Sequence, residues 1–144
     1  MKNLTKPTKR SDIKRAWHLV DAKDAILGRL STRIANLLMG KSKPYFVKNL
    51  DCGDYVVVIN AKSFKVTGGK EEKKKYTRYS GYPGGLRVET LKELMLRKPE
   101  EVIKHAVSGM LPQNRLHDKM LKRLHIFLGQ EHSYKDKFED PTAI

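Results

Sequence analysis

Unbroken apolar runs alternate along the chain with stretches whose apolar residues recur three or four positions apart, and this alternation predicts an α/β order of elements. Trp17 to Val20 reads as a short first strand. Leu27, Leu30, Ile34, Leu37 and Leu38 then share one side of a helix, with Asp24 placed to cap its start and Gly40 to end it. Arg29 and Arg33, four apart, fall on another face of that helix. Asp51-Cys52-Gly53-Asp54 is a turn sequence, and it leads into Tyr55 to Ile59, YVVVI, which suits a strand buried on both faces of a parallel sheet. Ser63 to Thr67 reads as an edge strand before Gly68-Gly69.

In the second half, Val88, Leu91, Leu94 and Met95 fall on one helical face, and Pro99 is well placed as the first residue of the next helix. Val102, Ile103, Ala106, Val107 and Met110 mark that helix, with Gly109 and Pro112 framing its end. A further helix around Leu116 to Leu124 feeds a last strand at His125 to Leu128. Residues 1–15 are polar and basic with little apolar periodicity, and read as an extension that is disordered or ordered only by a partner. The tail 130–144 is polar and reads as irregular. Without a repeat or an interdomain linker, residues 16–129 read as one α/β domain with parallel strands and helices on both faces.

At 144 residues the chain can bury roughly 70% of the surface its unfolded form exposes, enough for a real core. Charge changes the picture more. The chain has 30 Lys and Arg against 16 Asp and Glu, a formal +14, and such self-repulsion is easiest to understand if a polyanion offsets it. Residues 1–48 hold 12 cationic residues and 3 acidic ones, and residues 73–87 hold five cationic residues and no acid, so these two regions carry the net charge. No long apolar span, signal-peptide pattern or prenylation box is seen, which points to a soluble cytoplasmic protein with no membrane partner. Cys52 is the only cysteine, so neither an internal disulfide nor a thiolate metal cluster within the chain is expected.

The second basic region, Lys73 to Gly85 as KKKYTRYSGYPGG, carries the most specific chemistry. Lys73, Lys74, Lys75 and Arg78 can neutralise phosphates, while Tyr76, Tyr79 and Tyr82 offer rings for unpaired bases and hydroxyls for sugar or phosphate oxygens. Gly81, Pro83, Gly84 and Gly85 disfavour helix and central strand, so the segment reads as an exposed loop whose backbone can approach a partner. A solvated, lysine-rich loop is the plainer reading, and any one tyrosine can instead brace the loop against the core. Arg29, Arg33, Lys41 and Lys43 are further charge contacts, and Lys9, Arg10, Lys14 and Arg15 in the basic arm can order on RNA.

Enzyme chemistry finds little support. Gly68-Gly69-Lys70 is followed by Glu71 and lacks the earlier glycine of a phosphate-binding loop, and Gly81, Gly84 and Gly85 have the wrong intervals for a dinucleotide fingerprint. Ser80 is not in a G-x-S-x-G elbow. Asp51 and Asp54 can be an acid and base pair or hold a hard cation, but as turn residues they more simply satisfy backbone donors before the strand. The five histidines show no short ligand spacing, and Cys52 reads as a small buried hydrophobe unless a base folds beside it.

Several segments in order, WHLVDA at Trp17–Ala22, LGRL at Leu27–Leu30, DCGDYVVV at Asp51–Val58, SGYPGGL at Ser80–Leu86 and AVSGMLP at Ala106–Pro112, closely resemble the universal large-subunit ribosomal protein thirteen family in its bacterial form. The resemblance covers roughly Ala16 to Leu128, and SGYPGGL with GMLP is its most specific part. It implies a three-layer α/β/α domain with a mostly parallel central sheet that binds and positions large-subunit rRNA early in assembly, beside other ribosomal proteins. It implies no enzyme activity, cofactor or small-molecule substrate. The family's RNA-facing loop falls on Lys73 to Leu86 and its strand-entry turn on Asp51 to Asp54, while Gln113–Met120 departs from the glycine-and-arginine stretch usual after GMLP. The alternative function is a regulator that binds mRNA outside the ribosome through the same basic loop.

Overall fold

The computed structural model describes residues 7–138. The first six residues of the basic extension and the last six of the tail lie outside this range. Strand β1 (Trp17–Asp21), β2 (Tyr55–Ile59) and β5 (Leu124–Ile126) form a parallel sheet in the order β1-β2-β5. The YVVVI run occupies the centre, and Val56, Val57 and Val58 are all fully buried, as its lack of alternation predicts. Between the strands come helix α1 (Leu27–Met39), the short α2 (Lys70–Lys73), α3 (Leu91–Arg97), α4 (Pro99–Met110) and α5 (His117–Leu121).

The two faces of the sheet are built differently. Val20, Val56 and Val58 meet the apolar stripe of α1 (Leu27, Leu30, Ile34, Leu38) and, beyond it, Leu91, Val102, Ile103 and Met120 of α3, α4 and α5 in one core. Val57 points the other way, and on that face Trp17 stacks on Tyr55 at 4.4 Å and against Tyr134 at 5.0 Å, while Tyr134 lies 4.6 Å from His125. Among the described residues, this aromatic layer covers the second face in place of the helices expected there. The tail is thus partly packed, with a 3-10 turn at Lys135–Lys137 and Phe138 edge-on to Trp17. Period-based reading misses it because single aromatics spaced by polar residues follow neither helix nor strand period.

Local differences have local causes. Asp24 does not cap α1; it sits in the left-handed region (φ 57°) and pairs with Lys65 at 2.6 Å. The orphan amide of Leu27 donates instead to the Lys65 carbonyl at 2.9 Å, so the 63–67 segment makes one parallel bridge, Ile26 to Lys65, and caps a helix where an edge strand was expected. The largest departure is in the basic tyrosine segment. Lys75–Tyr79 (β3) and Leu86–Thr90 (β4) form an antiparallel hairpin, and only 80–85 remain as its tip. The alternation Tyr76, Arg78 against Lys75, Thr77, Tyr79 carries strand period, and the glycine–proline cluster supplies just the turn. Val88 therefore belongs to β4, while α3 starts at a capping box in which Thr90 Oγ1 accepts from the Glu93 amide and the Thr90 amide donates to Glu93 Oε2 at 2.8 Å. Pro99 opens α4 as expected. The fourth predicted helix is shorter, and β5 begins one residue earlier than expected.

Candidate nucleic-acid interface

The hairpin projects from α3 with two unlike faces. Cross-strand register puts Lys75, Thr77 and Tyr79 with Leu86, Val88 and Thr90 on one face, and Tyr76 and Arg78 with Arg87 and Glu89 on the other. Lys73, Lys74, Lys75 and Arg78 are exposed. Tyr79 and Tyr82 keep 64% and 76% of their surface open, so both rings stand ready for a partner. Tyr76 behaves otherwise: it packs on the core, lies 5.7 Å from the His105 ring, and carries Lys74 Nζ 5.2 Å above its own ring. Its hydroxyl is buried with no partner among the described residues, and burial pushes its phenol pKa up. Tyr76 thus braces the hairpin. At the tip, the Gly85 amide donates to Tyr82 O at 3.0 Å and Ser80 N to Gly85 O, which holds Gly84 and Gly85 in a tight turn.

Other predicted cations are distributed over the molecule. Arg29 and Arg33 are exposed on α1, and Lys41 is exposed just beyond its end. These do not adjoin the hairpin directly: α1 packs on α4, α4 on α3, and α3 on β4. Lys9, Arg10 and Lys14 are exposed in the arm. The arm's described part does not hang free, because Thr8 Oγ1 donates to Tyr45 O at 3.0 Å and Tyr45 OH to Lys14 O at 3.1 Å.

Lys43 and Arg15 make hydrogen bonds within the protein. Lys43 Nζ donates to the carbonyls of Lys14 (2.6 Å) and Cys52 (3.0 Å) and to the Asp54 carboxylate, so its donors are committed inside the protein. Arg15 donates to Gly53 O at 2.7 Å and to Asp51. Lys43 sits in a buried knot at the strand-entry turn, and the exposed Arg15 lies against its rim.

At the centre of that knot is Arg123, only 6% exposed, which sequence reading missed. It grips the Asp51 carboxylate with both terminal nitrogens, Nη2 to Oδ1 at 2.5 Å, and donates to Leu38 O at the end of α1 (3.1 Å) and to Asp54 O (3.3 Å). Its partners lie up to 85 positions away, beyond any local pattern. Gly53 is required here: a Cβ would sit 1.6 Å from Leu38 O. Gly40, in the left-handed region at φ 76°, likewise leaves room for Cys52 O. Asp54 accepts from the Ala16 amide (2.9 Å), His18 Nε2 (3.0 Å) and Lys43. Burial acts to raise its pKa, but the hydrogen bonds from His18, Lys43 and Ala16 and the Lys43 charge outweigh it, and the carboxyl lies below the ordinary aspartate value. The turn reading expects the two aspartates to satisfy backbone donors, but only the Ala16 amide is one; their other partners are side chains, Arg15 before β1, His18 in β1, Lys43 in the loop after α1 and Arg123 between α5 and β5. Cys52 is fully buried. Among the described residues, no three His, Cys, Asp or Glu side chains group as metal ligands.

Fold and surface together define a basic α/β protein with a parallel sheet that holds a cationic, tyrosine-bearing hairpin away from its core. Residues 15–133 match the family described as ribosomal protein L13. Among curated proteins, the chain is 54% identical over 136 residues to the large ribosomal subunit protein uL13 of Lawsonia intracellularis, covering 94% of each chain. It is 52% identical over 130 residues to that of Dehalococcoides mccartyi strain 195, covering 90% of this chain and 91% of the relative. The Aquifex aeolicus protein of the same name is 48% identical over 136 residues, again 94% of each chain. The chain belongs to the ribosomal protein L13 family.

Proposed function

We propose that this protein is a structural constituent of the large ribosomal subunit, where it binds and positions rRNA during early assembly beside other ribosomal proteins. The observation that carries this reading is the near full-length match to relatives named as large-subunit proteins. The exposed hairpin fits it chemically: Lys73, Lys74, Lys75 and Arg78 meet phosphates, Tyr79 and Tyr82 meet unpaired bases or sugars, and Gly84 and Gly85 let the backbone come close. Arg29, Arg33 and Lys41 form a second charged patch, with Lys9, Arg10 and Lys14 along the arm. Lys43, Arg15 and Tyr76 act one step back, holding the surfaces that touch RNA. The role requires no enzyme activity, and the protein works in the cytoplasm within the ribosome. No described helix is long and apolar enough to cross a membrane.

The finer architecture belongs to the same reading. Residues 16–129 form the domain and residues 1–15 a basic arm whose described part, 7–15, is laid along it, and the described part of the tail supplies the third layer, its aromatic side chains standing on the sheet opposite the helices. The test is competition binding of the purified protein to large-subunit rRNA at moderate salt, with small-subunit rRNA as competitor. Preferential retention of large-subunit rRNA is expected; equal displacement by the competitor sinks the structural role as stated.

A further inference from the structure

Between the inner face of the hairpin and helices α3 and α4 lies a cleft of about 560 Å³, in the range of small-ligand sites. Arg78 and Arg87 enter it from the hairpin, and Arg97, Lys104 and His105 from the helices. Two acids also line it, but each is already paired: Glu89 with Arg97 at 2.7 Å, and Glu101 with Lys98 at 3.2 Å. Arg78, Arg87 and Lys104 make no ion pair among the described residues. The cleft is thus a pocket with surplus positive charge, walled on one side by Leu94 and Leu121 and carrying two neighbouring rings, Tyr76 and His105, 5.7 Å apart. The buried Tyr76 hydroxyl at this wall has no partner among the described residues.

We propose that this cleft receives a single unpaired nucleotide of the bound RNA, its phosphate held by Arg78, Arg87 and Lys104 and its base laid against His105 beside Tyr76. The inference rests on the RNA-binding role and adds a specific subsite to it. Guanidinium forks and a lysine suit a phosphate, while an aromatic and imidazole wall accepts the face of any base. A paired helix cannot enter a pocket of this size, so the ligand must be a base turned out of a loop or bulge, the form in which single-stranded RNA is read. The inner face would then clasp one nucleotide while the tip and outer face contact the surrounding backbone.

The test is nucleotide-resolved chemical probing of large-subunit rRNA bound to the full chain, comparing the wild type with Arg87→Gln combined with Lys104→Gln, and with His105→Ala. All three positions are exposed, and an unchanged melting curve controls for folding. The expected result is renewed reactivity at one or two unpaired nucleotides in each variant, with the other protections kept and affinity lower by roughly tenfold, as for loss of one stacked base. Tyr82→Ala should expose different nucleotides. Retention of every protection in both variants overturns the subsite, as would happen if the cleft served an acidic segment of a neighbouring protein. Even weakening of all protections overturns it too, since that marks general charge. If the wild type itself protects no large-subunit rRNA, the RNA-binding role fails, and the subsite with it.

Discussion

The strand-entry knot and the β3–β4 hairpin are both made of charged residues beside glycine, yet one is sealed and paired while the other is open. Arg123, Lys43, Asp51 and Asp54 are at most 13% exposed as side chains and satisfy one another and nearby backbone carbonyls. The hairpin lysines lie in solvent and make no ion pair among the described residues. A buried cation whose partner is lost is stranded in a low-dielectric interior, whereas an exposed one loses little. The comparison teaches that a cation's role in this protein follows from where its donors end. Lys43 and Lys74 are the same residue type in basic stretches, yet Lys43 is paired and largely buried while Lys74 is exposed.

The sharpest way to break the contrast is Arg123→Ala. It leaves the largely buried Asp51 with only the longer contact to Arg15 and Leu38 O without its donor, and should cost about 3–5 kcal/mol of stability, read by denaturant unfolding. A change below about 1 kcal/mol would put the knot in the class of surface ion pairs. At the hairpin the opposite outcome is expected: Lys73, Lys74 and Lys75 changed together to Ala should leave unfolding unaltered. The slope of log affinity for rRNA against log salt should fall by roughly 2 to 3, and an unchanged slope would remove the run from the interface.

Lys43→Met sharpens the same distinction within one residue type. It should lower stability by about 2 kcal/mol with little change in the salt slope, the reverse of any single hairpin lysine. If it lowered the slope by about one, Lys43 would belong to the interface after all.

Two smaller effects depend on pH. The Asp54 carboxyl is depressed in the folded state, so its contribution to stability is fully present above the ordinary aspartate pKa of about 3.9 and is lost as pH falls through the folded value. Unfolding of the wild type should therefore steepen with acid below about pH 4, and Asp54→Asn should flatten that part of the profile. His125 is depressed by burial beneath Tyr134, so its neutral form favours the packed tail. That contribution is complete above about pH 6.5 and fades below it. Trp17 fluorescence should report the loosening, and His125→Phe should remove it.

Much of the fold was legible because the relevant forces are local or periodic. The 3.6-residue stripe of α1, the unbroken YVVVI strand and Pro99 at the start of α4 each state their burial in consecutive residues. The basic tyrosine segment was legible as chemistry but not as shape, since its glycines and proline drew attention away from the strand alternation on either side. In the same way, the cations at 73–78 could be found by composition, yet nothing local distinguished Tyr76, which braces, from Tyr79 and Tyr82, which stand open.

The sequence by itself determined the α/β order, the central buried strand, the surplus of positive charge and the family, because periodicity, composition and motif spacing are properties of neighbouring residues. Only the tertiary structure decided that Lys43 turns inward and Arg15 lies against the strand-entry turn, that Arg123 ties Asp51 to the end of α1, and that the tail's aromatic side chains lie on the sheet's second face. Those outcomes depend on groups tens of residues apart meeting where water is excluded, and the cost of leaving a buried charge unpaired then selects its partner.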